Sequence, residues 1–310
     1  MLNLNFKIKA RRLSTLYLKI IIYFINKTMI LVYIIIILIL ILIQILIYFL
    51  YQNNKEYFTI NSIKDIVKNN ISFSQVKYQY GVPYVVFICW FGNSISENRY
   101  QALKSLIKNI GVPYILVTDD NVFDFQHNQF PFHPAFKNLS GNHKSDYIRA
   151  YLLHHYGGGY HDIKYRDLNW KNQWNDFKNP QVWIKSRREK QPSHIGFNID
   201  IPETRWIQQK YNDVGTMGWV ICRPYTKYTQ ELLDIIHQVL DKHYHNLLKN
   251  PSTHSGGYYS NNPFGKVRDI NNNYPLRWLE IMGEHFHLLM YKYKNHLIFG
   301  LPDVVSKNYR

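Results

Sequence analysis

The sequence predicts an α/β fold, with an open and mostly parallel sheet flanked by helices. Tyr84–Cys89 is a continuous apolar run, which is typical of a parallel strand buried on both faces. Glu97–Asn109 then has the pattern of a helix, and Tyr114–Thr118 is a second apolar run. Because a strand, a helix and a strand within about 35 residues form a βαβ unit, a parallel sheet is the expected architecture.

The limits of these elements follow from local signals. Ser94 and Glu97 have the spacing of a capping box, which predicts the start of the helix, and Gly111 and Pro113 predict its end. Further along, the pattern predicts a strand over Trp219–Cys222 and helices over Thr226–Lys249 and Leu279–His287.

The chain divides into four predicted parts: a basic segment 1–28, a transmembrane anchor 29–51, a stem 52–80 and a folded domain 81–310. From Met29 to Tyr51 only Gln44 is clearly polar, and about 20 helical residues span the hydrocarbon of a bilayer. A cleaved signal peptide is the alternative, but its apolar core is usually about 7–15 residues long and ends in small residues. We therefore favour an uncleaved anchor.

The charges that flank the anchor predict its orientation. The upstream segment carries six basic residues and no acidic one, whereas residues 52–56 are nearly neutral. Basic flanks stay in the cytosol, so we expect a single-pass type II membrane protein with its folded domain on the lumenal or extracytosolic side. A start at Met29 would remove this basic flank.

The composition limits the expected partners. The formal charge is +16, and without the six upstream basic residues 31 Lys and Arg remain against 21 Asp and Glu. Such a domain suits nucleic acid, anionic lipid or a diphosphate-bearing ligand. No nucleic-acid module accompanies the charge, so we expect no nucleic-acid partner. Cys89 and Cys222 lie in apolar runs and are predicted to be buried, without a disulfide framework.

Ser145–Lys164, with the sequence SDYIRAYLLHHYGGGYHDIK, is the most informative segment. In a helix, Asp146 and Arg149 share one face. The three glycines that follow predict the end of this helix. In a strand after them, Asp162 and Lys164 would leave from the same face. We therefore expect an acid and a base from the helix to meet an acid and a base at the strand end.

This segment resembles the nucleotide-sugar-binding segment of glycosyltransferases of the GT-A fold, closest to capsular polysaccharide synthesis proteins and sugar-binding DXD-motif enzymes. In that group an S-D-x-x-R helix leads through Y-G-G-x-Y into D-x-D. The matching residues here are Ser145, Asp146, Arg149, Tyr156, Gly157, Gly158, Tyr160 and Asp162. Lys164 stands where the family usually has its second aspartate. A weaker resemblance extends from about Val82 to the C-terminus and implies a GT-A-like, Rossmann-related sheet.

The resemblance implies roles for individual residues. It places Trp90 near the base or ribose of a nucleotide-sugar donor, and Asp146 and Asp162 at ribose hydroxyls. A glycine turn before the strand Trp219–Cys222 would border the sugar pocket. The nucleotide-sugar-binding residues are thus expected to be Trp90, Asp146, Arg149, Tyr160, Asp162, Gly215 and Thr216, and the catalytic ones Arg149, Asp162 and Lys164.

In typical members the last aspartate of D-x-D binds Mn²⁺ or Mg²⁺, which prefer oxygen ligands. Lys164 cannot bind a metal while it is protonated. Either Asp162 binds the metal with a distant ligand, for which we favour His287 over Glu284 or His285, or Lys164 and Arg149 neutralise the donor diphosphate themselves. Both alternatives stay open at this point.

The function expected from the resemblance is a membrane-anchored glycosyltransferase whose catalytic domain is 81–310. It would move a sugar from a nucleoside-diphosphate sugar to a glycan or another hydroxyl acceptor, with retention of configuration. Two alternatives remain: an inactive sugar-nucleotide- or glycan-binding module, and a membrane-tethered structural protein whose basic face contacts lipid.

Overall fold

A computed structural model of the chain describes residues 17, 19, 27, 29–30, 32–48, 57–59, 61, 63, 71–253 and 273–305. The chain forms two units, Met1–Glu56 and Tyr57–Arg310.

The first unit contains a helix over residues 32–48, whose large apolar side chains are exposed. None of the helices among the described residues combines the length and the apolar character that a membrane crossing requires. Most of the predicted basic segment 1–28, residues 31 and 49–51 of the predicted anchor, and much of the predicted stem lie outside the described residues. The anchor therefore stays a prediction.

The second unit is built on a six-stranded sheet, and its order is β10-β8-β9-β7-β4-β6. Of these six strands, five run in one direction and β9 is antiparallel to both of its neighbours. The predicted α/β class with a mostly parallel sheet is confirmed. The strand bounds are β4 Val86–Trp90, β6 Tyr114–Thr118, β7 Gly158–His161, β8 Ile184–Arg188, β9 Gly215–Cys222 and β10 Leu297–Phe299.

Two small antiparallel pairs accompany this sheet. They join β1 (Tyr57–Thr59) to β5 (Ser94–Ser96) and β2 (Tyr78–Gln79) to β3 (Val82–Pro83). Because β1 pairs with β5, Tyr57–Thr59 belong to the folded unit, although the sequence analysis placed them in the stem.

Helices cover both faces of the sheet. Their bounds are α1 Glu97–Asn109, α2 Gly141–His155, α3 Pro202–Gln209, α4 Lys227–Lys249 and α5 Gly283–Lys292. Alternate residues of β4 enter two separate cores. Phe87 lies in one core with side chains of α2, α4 and α5, and Ile88 lies in the other with side chains of α1. This division explains why the β4 sequence is apolar throughout. Trp170 and Trp174 are buried in the core that contains Ile88, and Cys89 and Cys222 are buried free thiols as expected.

The start of α1 corrects one detail of the sequence analysis. The helix has the predicted bounds, but its N-cap is Ser96, whereas Ser94 pairs with Thr59 across β5 and β1. The predicted capping box of Ser94 with Glu97 is therefore wrong, because strand pairing places Ser94 two residues before the helix cap.

The glycine run after α2 changes direction sharply. Gly157 has φ of +73°, and a Cβ there would lie only 2.5 Å from Cδ of Pro224. Strand β7 then begins at Gly158 and ends at His161. Asp162 and Lys164 therefore lie in the loop after the strand. The alternation of side chains had predicted both residues within the strand, and that prediction is wrong.

Two later elements also differ from their predicted limits. Gly215 and Thr216 are the first residues of β9, which is longer than the predicted strand over Trp219–Cys222. The predicted helix over Leu279–His287 begins four residues later, at Gly283.

Candidate functional site

A cavity of about 300 Å³ opens at one edge of the sheet. Strands β4 and β7 end at this edge, and β9 begins there because it runs in the opposite direction. Ligands of open α/β sheets bind outside the carboxyl ends of the strands, so this is the expected position of a site. The cavity is lined by Cys89, Trp90, Arg99, Asn142, Ser145, Asp146, Arg149, Tyr160, Asp162, Ile163, Lys164, Met217, Trp278, Leu279 and Gly283.

Arg149 is the centre of the polar network in this cavity. Its Nη2 lies 3.1 Å from Oδ1 of Asp146 and 3.3 Å from Oδ1 of Asp162. Its guanidinium stacks 4.2 Å from the Tyr160 ring centroid, and Nη1 donates to the carbonyl of Met217 at 2.9 Å. The Tyr160 hydroxyl in turn donates to Oδ1 of Asp162 at 3.0 Å. One buried cation thus joins the carboxylates of the helix and of the loop after β7.

Burial and charge set the protonation of this network. Burial raises the pKa of Asp146 to about 6, although the nearby Arg149 acts to lower it. Burial alone would lower the pKa of Arg149, but Tyr160, Asp162 and Asp146 outweigh that effect and leave it raised. Burial also raises the pKa of Cys89 to about 12, so this thiol stays protonated. The site therefore keeps Arg149 charged and holds Asp146 near its titration point at weakly acidic pH.

Lys164 extends the positive charge along the loop. Its Nζ lies 3.8 Å from Oδ2 of Asp162 and 5.0 Å from the ring centroid of Trp219. The side chain of Lys164 is 21% exposed, so its ammonium group is accessible from the cavity. Lys164 thus occupies the space beside Asp162 with a cation.

Neither His287 nor Glu284 joins Asp162 in the lining of the cavity. Among the described residues there is no group of three His, Cys, Asp or Glu side chains that could hold a metal. The ring of His287 is buried 3.9 Å from Oε1 of Glu189 and does not line the cavity. Glu284 is bound by Asn198 and Arg277. The geometry therefore does not support the predicted metal site of Asp162 with His287.

Most of the predicted site residues come together in one place. Trp90, Asp146, Arg149, Tyr160, Asp162 and Lys164 all line the cavity. Gly215 and Thr216 do not line it. They lie buried in β9, where the carbonyl of Thr216 accepts a hydrogen bond from Oγ of Ser186 at 2.9 Å. These two residues support the strand that presents Met217.

Several lining residues were not predicted from the sequence, and among them the side chains with polar groups are Arg99, Asn142 and Trp278. Arg99 lies in the first turn of α1 and donates from Nη1 to the carbonyl of Ile163 at 2.8 Å. Its position just after the end of β4 was a usable signal, because helices that follow parallel strands begin at the ligand-binding edge. Trp278 is distant in sequence, and no motif indicated it.

Comparison with known proteins gives one match. Residues 95–180 match the family model described as glycosyltransferase sugar-binding region containing DXD motif. Neither the curated proteins nor the solved structures contain a significant match. The matched segment runs from β5 through α2 and β7 to the loop that carries Asp162 and Lys164. The description of this family model does not mention capsular polysaccharide synthesis. Residues 95–180 are therefore similar to the sugar-binding region of DXD-motif glycosyltransferases, in agreement with the resemblance of Ser145–Lys164.

Proposed function

We propose that this protein is a nucleotide-sugar-dependent glycosyltransferase that binds its donor in the cavity at the sheet edge. It would transfer the sugar to a glycan or another hydroxyl acceptor, with retention of configuration. The observation that carries the proposal is the network of Asp146, Arg149, Tyr160 and Asp162, which lies within the segment matched to the sugar-binding region.

The proposed donor grip uses the polarity of this network. The carboxylates of Asp146 and Asp162 accept hydrogen bonds from ribose hydroxyls, and the positive charge of Arg149 offsets the repulsion between these two carboxylates. When the bond from the sugar carbon to the diphosphate oxygen breaks, negative charge develops on the diphosphate. A cation placed beforehand at that position stabilises the charge without reorganisation, and Lys164 is the accessible one beside Asp162.

DXD-motif glycosyltransferases often use divalent metals, and here Lys164 takes the neighbouring position with a fixed charge. We therefore expect Lys164→Met to lower kcat by about 10²-fold, the usual effect of losing one charge-stabilising group. Activity of the unmodified protein should survive exhaustive treatment with EDTA. The matched control is Lys108→Met, which removes an exposed lysine of α1. Loss of activity in EDTA with recovery on adding Mn²⁺ would overturn this assignment of Lys164.

Donor affinity should depend on pH through Asp146. Its carboxyl, with a pKa of about 6, takes up a proton below that pH and loses its charge as a hydrogen-bond acceptor. The ionised fraction then falls about tenfold per pH unit, so affinity for the donor should be about tenfold lower at pH 5 than at pH 7. Isothermal titration with the donor across this range measures the effect. The Asp146→Asn variant should bind more weakly, with a profile that lacks this step; an unchanged step would assign it to another group.

The direct test of the function is a thermal-shift panel of sugar nucleotides on the full chain, with and without Mn²⁺. A donor that raises the melting temperature is then assayed for transfer and for hydrolysis. The replacement of the second aspartate by Lys164 favours one alternative, a module that binds sugar nucleotides without turning them over. Binding without transfer or hydrolysis would support that alternative, and absence of binding to any sugar nucleotide would refute both.

The proposed enzyme is anchored by residues 29–51, with its catalytic domain on the lumenal or extracytosolic side. The apolar run from Met29 to Tyr51 and its basic upstream flank support this proposal.

A further inference from the structure

Arg166 is a buried cation directly behind the loop that carries Asp162 and Lys164. It is 1% exposed, and its guanidinium hydrogen bonds go to neutral acceptors. Nη1 donates to the carbonyl of Leu168 and Nη2 to that of Pro302, both at 3.2 Å, and Nε donates to Nε2 of His161 at 2.9 Å. Burial lowers the pKa of Arg166 to about 10, so the group is still charged at neutral pH. A buried cation is costly, and its retention calls for a role.

The hydrogen bond to His161 determines the state of that ring. A guanidinium only donates, so Nε2 of His161 must accept and its proton must lie on Nδ1. Nδ1 then donates to the carbonyl of Asp162 at 2.5 Å. His161 is fully buried, and burial together with the charge of Arg166 lowers its pKa well below the usual range. The ring is therefore a neutral link of fixed tautomer between Arg166 and the backbone of Asp162.

The rest of the loop is held from the same side. The backbone amide of Asp162 donates to the carbonyl of Gly218 at 2.7 Å. The carbonyl of Arg166 accepts from Oγ of Ser105 at 2.9 Å and from Nδ2 of Asn109 at 2.6 Å. Both ends of the stretch between Asp162 and Arg166 are thus fixed by groups that do not face the cavity.

We propose that Arg166, acting through His161, is a positioning residue that sets the placement of Asp162 and Lys164 in the donor site. The inference rests on the proposed function. Contacts on the side away from the cavity hold both ends of the stretch between Asp162 and Arg166, and His161 links Arg166 to the backbone of Asp162. Misplacement of the Asp162 and Lys164 side chains by about 1 Å can cost about 10² in rate, so contacts that fix the backbone of this loop affect catalysis.

The experiment compares Arg166→Met with the matched variant Arg223→Met in the full chain. Arg223 also binds backbone carbonyls, those of Tyr80 and Phe177 at 2.8 Å and that of Val182 at 3.3 Å, but it follows the far end of β9. Both variants should lower the melting temperature. Only Arg166→Met should lower kcat, by about 10²-fold, and weaken binding of the donor found in the thermal-shift panel.

A double-mutant cycle with Asp162→Asn separates positioning from general damage. If Arg166 acts through the loop, Arg166→Met should cost much less donor affinity in the Asp162→Asn background than in the unmodified chain. In ¹⁵N spectra of histidine-labelled protein, the resonances of His161 should show the Nδ1–H tautomer. The Arg166→Met substitution should alter these resonances. The more conservative Arg166→Lys keeps the charge and one donor group, and it should recover part of the activity. If Arg166→Met does not fold, Arg166→Lys replaces it as the test of the positioning role.

Two failures are distinguishable. If the unmodified protein binds no sugar nucleotide, the proposed function is refuted and this inference falls with it. If the unmodified protein binds a donor but Arg166→Met binds and turns it over equally well, or if the two substitutions are additive, only the positioning role is refuted.

Discussion

Replacing Asp162 by Asn is expected to lower kcat/KM for sugar transfer by about 10²–10³-fold, while the chain stays folded. Oδ1 of Asp162 accepts from both Arg149 and Tyr160, and Oδ2 lies beside Lys164. The amide of Asn keeps the shape of the side chain but removes the negative charge that faces Arg149 and Lys164. Arg149 keeps Asp146 as a charged partner in this variant, so no buried charge is left unpaired.

The matched control is Asp167→Asn, which removes an exposed carboxylate five residues further along the same loop. It should keep full activity. Steady-state kinetics with the donor found in the thermal-shift panel measure both variants, and circular dichroism checks their folding. Turnover by Asp162→Asn at the rate of the unmodified protein would show that the site has been assigned to the wrong residue.

Replacing Arg149 by Met should lower the free energy of unfolding by about 3–5 kcal/mol, the usual cost of removing one partner from a buried ion pair. Arg149 is 5% exposed and faces the carboxylates of Asp146 and Asp162. Without the guanidinium these two partly buried carboxylates repel each other. Donor binding should be lost as well, because the carboxylates would take up protons or move apart.

Urea denaturation of Arg149→Met beside Arg205→Met provides the measurement. Arg205 is an exposed residue of α3, and its loss should change stability by less than about 0.5 kcal/mol. Adding Asp146→Asn to Arg149→Met should recover part of the lost stability, since one of the two unpaired carboxylates is removed. Equal stabilities for Arg149→Met and the unmodified protein would contradict the ion-pair network.

The parts of the fold that sequence predicted well are those determined by local pattern. The bounds of α1 and β6 agree with their predicted limits, because apolar periodicity and a glycine–proline stop act within a few residues. The meeting of Asp146, Arg149 and Asp162 was also predictable, since helix spacing and the strand end place them at one edge of the sheet.

The parts that sequence missed depend on contacts between distant segments. Ser94 has the right spacing for a cap, but pairing with β1 takes it into a strand. His287 has a plausible chemistry for metal binding, yet the fold places it beside Glu189, and nothing in the local sequence indicates that contact. From the sequence alone, Arg166 is indistinguishable from an ordinary surface residue. In the fold it donates hydrogen bonds to His161 and to the carbonyl of Pro302.

The contact between Arg166 and Pro302 has a consequence for biosynthesis. These residues are 136 positions apart, and Trp278 and Gly283 of the cavity wall also lie C-terminal to the loop of Asp162. A polypeptide emerging from the ribosome can form α1, α2 and β7 early, but the loop of Asp162 lacks its rear support until Pro302 has been made. Closing so long a loop costs conformational entropy, and contacts between distant segments therefore form slowly. A nascent chain should therefore become competent to bind donor only after the segment that contains Pro302 has been translated.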